Sequence, residues 1–86
     1  MRRIPVLEHG DVRVVRVVSE GEGDLIPEHT HDGDEIAYVV SGRVRVHIEG
    51  KGDFDVSEGE AVLIPKGVKH RGLLSEGCVL IAFYHP

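Results

Sequence analysis

Short runs of β-branched and aliphatic residues, each cut off by glycine or charge, constrain this chain more than any other feature. They are VRVVRVV at 12–18, EIAYVV at 35–40, RVRVHIE at 43–49, AVLIP at 61–65 and CVLIAFY at 78–84. None shows the 3.6-residue period of an amphipathic helix. RVRVHIE alternates strictly, with Val44, Val46 and Ile48 on one face and Arg43, Arg45 and His47 on the other. The segments between the runs, SEGEGD (19–24), SG (41–42), EGKGD (49–53), SEGE (57–60), KG (66–67) and SEG (75–77), are rich in turn formers. Short strands at regular spacing, punctuated by 11 glycines, predict an antiparallel barrel or sandwich.

At 86 residues the chain has room for one core, so a single domain over 1–86 is expected. With no Trp, two Phe and two Tyr, that core must be built from Val, Ile and Leu. A thin aliphatic core of this kind gains stability from a bound ion or a partner subunit. The net charge of −5, with arginines spread among acids, argues against a nucleic-acid partner, which needs a clustered basic face. No apolar run reaches the ~18 residues of a membrane span, and Met1 is followed by arginines without an apolar signal core. A soluble, cytoplasmic protein without membrane contact is expected. The lone Cys78 sits in the apolar run CVLIAF and reads as a buried, inert thiol.

Two stretches carry chemistry. In PEHTHDGDE (27–35), His29 and His31 would share one face of an extended strand, about 7 Å apart along the backbone. Asp32, Gly33 and Asp34 form a turn, after which Glu35 returns a carboxylate to the same point. Two imidazoles and a carboxylate suit a divalent transition metal such as Fe, Mn, Ni, Cu or Zn. In GEAVLIPKGVKH (59–70), an apolar strand runs to Pro65, turns at Lys66 and Gly67, and delivers His70 on a rigid backbone.

The spacing of Gly23, His29, His31, Glu35 and Gly42 resembles the first conserved motif of the cupin superfamily, and that of Gly59, Pro65, Gly67 and His70 resembles the second. Together they cover residues 23–70. One position departs from the pattern: Leu74 stands where the family often has Asn, at a site that is not a ligand. The resemblance implies an all-β fold, a small antiparallel jelly-roll β-barrel, with one metal ion held by His29, His31, Glu35 and His70. Residues 43–58 between the motifs are few, which resembles the compact single-domain members. The implied function is that of a metalloenzyme of dioxygenase, decarboxylase, isomerase or lyase type acting on a small organic metabolite. The alternative is a non-enzymatic small-molecule, sugar-binding or sensor protein, because the fold hosts both.

No acid/base pair beyond the ligands is legible. Tyr84, Arg45 and Lys66 are candidate substrate contacts, His47 is expected to face solvent, and His85, next to Pro86, to be frayed. If Glu35 points inward, so do Ala37 and Val39, leaving Ile36, Tyr38 and Val40 outside. Such an outer apolar face predicts a homodimer.

Overall fold

The structure, a computed structural model, describes residues 1–86. It contains nine strands and no helix: β1 (Arg2–His9), β2 (Val12–Val18), β3 (Asp24–His29), β4 (Asp34–Ser41), β5 (Arg43–Ile48), β6 (Gly52–Ser57), β7 (Ala61–Ile64), β8 (His70–Leu74) and β9 (Val79–His85). They form a five-stranded sheet in the order β1-β2-β9-β4-β7 and a four-stranded sheet in the order β3-β8-β5-β6. Every strand pair is antiparallel. This is the jelly roll that the sequence implied. No helix is long and apolar enough to cross a membrane.

Period-two alternation decides which side chains meet between the sheets. Glu35, Ala37 and Val39 of β4 are buried while Ile36, Tyr38 and Val40 are exposed, and Val44, Val46 and Ile48 of β5 are buried. Val15, Val17, Leu80 and Ala82 from the neighbouring strands complete an aliphatic core with Val56, Ile64, Leu74 and Cys78. Leu74, the departure from the second motif, is 1% exposed in that core. Burial raises the pKa of the Cys78 thiol, in keeping with an inert role.

Three expectations need correction. His29 and His31 do not share a strand, because β3 ends at His29 and His31 lies in the following loop. His85 is not frayed: it is the last residue of β9 and pairs with Asp34. Strands β1, β3, β6 and β8 lie outside the five runs read as strands; Pro5 and Pro27 interrupt the first two, GDFDVS opens on glycine and holds two poorly strand-forming aspartates, and HRGLL opens on two polar residues and a glycine.

Candidate metal centre

Glu35 is the second residue of β4 in one sheet, while His29 closes β3 and His70 opens β8 in the other, so one end of the barrel gathers all three. His29 and His70 are direct cross-strand partners. They are so because β3 carries a bulge. Ile26 pairs with Gly72 and His29 with His70, which sets three steps on β3 against two on β8. Without the extra residue, alternation from the inward Ile26 would turn Glu28 into the pocket; with it, His29 points in and Glu28 is exposed. Pro27, which has no N–H to lose from the ladder, sits at this irregularity.

The loop between β3 and β4 brings in His31. The Gly67 N–H donates to the His31 carbonyl at 3.0 Å, and the Lys66 N–H donates to Asp34 Oδ1 at 2.9 Å. The β7–β8 turn is thereby tied to the loop that presents His31. Ring centroids lie 4.5 Å apart for His29 and His31, 4.2 Å for His29 and His70, and 5.1 Å for His31 and His70. One ligand atom from each of His29, His31, Glu35 and His70 falls within 4.8 Å of all the others.

The tautomers are set locally. His29 Nδ1 lies 2.7 Å from the Pro27 carbonyl and His70 Nδ1 lies 3.1 Å from the Val68 carbonyl. A carbonyl can only accept, so both Nδ1 atoms carry the proton and leave Nε2 with its lone pair free. Glu35 Oε1 lies 3.0 Å from His31 Nε2 and 3.3 Å from His70 Nε2. Both separations are those of ion pairs, yet neither has hydrogen-bond geometry, and all three buried atoms lack a hydrogen-bond partner. Buried polar atoms left in this way are costly unless something else satisfies them. A cation at their common focus would do so, and borderline imidazole ligands with one hard carboxylate suit a divalent transition metal.

Electrostatics separate the half-buried His31 from the buried His70. Burial lowers the pKa of His31, an effect only partly opposed by the Glu35 carboxylate. Burial also works against charge on His70, but contact with Glu35 and the Val68 carbonyl outweigh it and its pKa is raised.

The cavity beside these groups measures about 30 Å³ and is walled by Val17, Ile26, Ala37, Val44, Val46, Ile64 and Leu80. Val39 and Ile48, which share the inward faces of β4 and β5, do not line it and belong to the core. Of the candidate substrate contacts, only Tyr84 is in place: its ring lies 4.7 Å from that of His31 and it lines the cavity. Arg45 is on the outer face of β5, paired with Asp55 at 3.3 Å, and the exposed Lys66 does not line the cavity. His47 is half-buried and contacts Asp53 at 2.6 Å on the same outer face. Arg3 and Arg71 line the cavity instead.

A family model described as a cupin domain matches residues 14–82, most of the chain. The chain belongs to the cupin family. Solved structures similar to this cupin include KdgF from a Halomonas species, at 29% identity and TM-score 0.81, the match covering 95% of this chain and 76% of that one. An RmlC-like cupin from Shewanella frigidimarina superposes with TM-score 0.87 at 23% identity, over 98% of this chain and 74% of that one. A conserved protein with a double-stranded β-helix domain from Klebsiella pneumoniae gives TM-score 0.87 at 25% identity, over 99% and 71%. No curated protein matches this cupin.

Proposed function

We propose that this cupin is a mononuclear metalloenzyme acting on a small organic metabolite, with His29, His31, Glu35 and His70 as the metal ligands. The convergence of three buried, hydrogen-bond-free ligand atoms beside an apolar cavity carries the reading. When bound, a divalent ion supplies a Lewis acid or a redox centre. The chain's own part is to fix the imidazoles through the Pro27 and Val68 carbonyls, to hold Glu35 between His31 and His70, and to exclude water with aliphatic walls. The other function class is binding without turnover. A substrate screen with Fe, Mn and Ni forms, with and without air, separates the two. Turnover that disappears in His70→Ala supports the enzyme; saturable binding with no turnover by any form overturns it.

Metal affinity is expected to fall as pH drops through about 6.5, because each imidazole must be neutral to coordinate. The sign follows from competition: protons and metal claim the same lone pairs, so acid favours release. At His70, whose pKa is raised, competition begins at higher pH than at an ordinary imidazole. Metal content measured after dialysis at steps between about pH 8 and pH 4 checks this. Full retention at about pH 4–5 counts against a three-histidine shell.

A homodimer is part of the same reading. Strand register lines up Leu7, Val14, Phe83, Ile36 and Leu63 in one uncharged row across the outer face of the five-stranded sheet. Leu7, Phe83, Ile36 and Leu63 are all exposed, and Tyr38 flanks the row. A second copy related by a two-fold axis presents the same row, so apolar meets apolar along it. Phe83→Glu is expected to shift the protein from dimer to monomer on size exclusion. Elution of the wild-type protein as a monomer would sink the proposal.

A further inference from the structure

Cross-strand partners share a face, and two arginines stand opposite buried residues: Arg3 faces Val17, and Arg13 faces Tyr84. Both guanidinium groups therefore belong to the inner side of the five-stranded sheet, the side that carries Glu35. Arg3 Nη2 donates to the Tyr84 hydroxyl at 3.2 Å, and Arg13 Cζ lies 5.0 Å from the centre of the Tyr84 ring. Neither forms an ion pair, whereas Arg45 and Arg71 have Asp55 and Glu28. Tyr84 takes one of the five N–H donors of Arg3, which leaves the rest of the fork free at the cavity.

Charge explains what that fork awaits. Glu35 is the only carboxylate lining the cavity, and a divalent ion there would exceed its single negative charge. Arg3 adds to the positive excess, as does Arg71, which also lines the cavity but lies 3.9 Å from Glu28, in a chain whose net charge is −5. Arg3 is itself exposed at the rim of the aliphatic cavity, and unpaired positive charge there draws a complementary anion. Arg13 opens on a second cleft that also holds Asp11 and Asp32, so its part is to hold the ring of Tyr84.

We propose that Arg3 anchors the carboxylate of a small organic acid bound beside the metal ligands, with Tyr84 positioned between the two arginines to fix the approach. The proposal rests on the metal-site reading and narrows its substrate class. A guanidinium matches a carboxylate with two parallel hydrogen bonds, which a lysine ammonium cannot reproduce. The cavity of about 30 Å³ has room for little more than a water molecule, so a small acid would lie across its mouth, where Arg3 is exposed.

Calorimetric titration with pyruvate and with its neutral amide tests this, on cobalt-loaded and on metal-free protein, with cobalt content measured separately. In Arg3→Gln, pyruvate affinity is expected to fall about tenfold or more while amide affinity and cobalt content stay unchanged. Arg3→Lys should recover part of the loss, and Arg45→Gln, on the outer face, should bind pyruvate as the wild type does. Retained pyruvate affinity in Arg3→Gln overturns the proposal, as does an equal loss for the amide or a wild type that binds pyruvate in neither form. A wild type that takes up no cobalt defeats the metal reading alone, and the comparison on metal-free protein then decides the role of Arg3.

Discussion

Replacing His29 and His31 together by alanine is expected to reduce bound metal from about one ion per chain to none. The variant keeps only Glu35 and His70, and two ligands do not make a closed or a facial site. Elemental analysis of protein purified without added metal reads the result; equal metal in both proteins would refute the ligand set. A thermal readout should agree. An ion present at about 100 times its Kd stabilises the folded state by about 2.7 kcal/mol, which for a domain of this size is about 10–20 °C in Tm. That rise should appear in the wild type on adding metal and be absent in the double variant. The comparison is favourable because the metal-free core, built from Val, Ile, Leu and Ala of both sheets, does not include either histidine.

The second large effect is expected at Gly42, in the turn between β4 and β5. Its φ is +71°, and a Cβ there would lie 2.8 Å from the Cys78 Cα and 2.8 Å from Ser75 Oγ. A serine hydroxyl can rotate away, but a backbone Cα cannot. The turn is held against residues 75–78 by hydrogen bonds from Arg43 N–H to Ser75 Oγ and from Ser75 N–H to the Arg43 carbonyl, each 3.0 Å, so the two segments cannot simply separate. Gly42→Ala combines about 1–2 kcal/mol for a left-handed L-residue with about 1–3 kcal/mol for forced displacement of packed backbone. Gly77 provides the control: its φ is +73° but nothing lies within 4 Å of an added Cβ. Gly77→Ala should therefore cost the conformational part alone. Thermal unfolding of metal-free protein checks both, and equal Tm values for the two variants would show that the close approach to Cys78 is not what holds Gly42 in place.

The central strands were legible because their two faces differ in chemistry. VRVVRVV, EIAYVV and RVRVHIE alternate or run apolar without interruption, and β2, β4 and β5 follow them closely. The edge strand β1 was hidden by paired arginines and Pro5, and β6 by the aspartates flanking Phe54. The cluster of His29, His31, Glu35 and His70 was legible through motif spacing, although His29 and His31 do not meet by sharing a strand face. They meet through a bulge and a loop, and neither a bulge nor a loop's path follows from period-two counting. Arg13 could have been found, since it is in phase with Val15 and Val17 along β2. Arg3 could not, because its face is defined only once β1 is known to pair with β2.

One small repetition has a wider consequence. In both His29 and His70 the ring proton is held by the carbonyl two residues earlier, of Pro27 in one case and Val68 in the other. Every residue type supplies that carbonyl, so the identity of positions 27 and 68 is free to drift while ring orientation persists. The orienting device leaves no residue signature of its own. It travels with the backbone path, and each histidine-bearing segment can diversify in sequence without renegotiating how its imidazole is aimed.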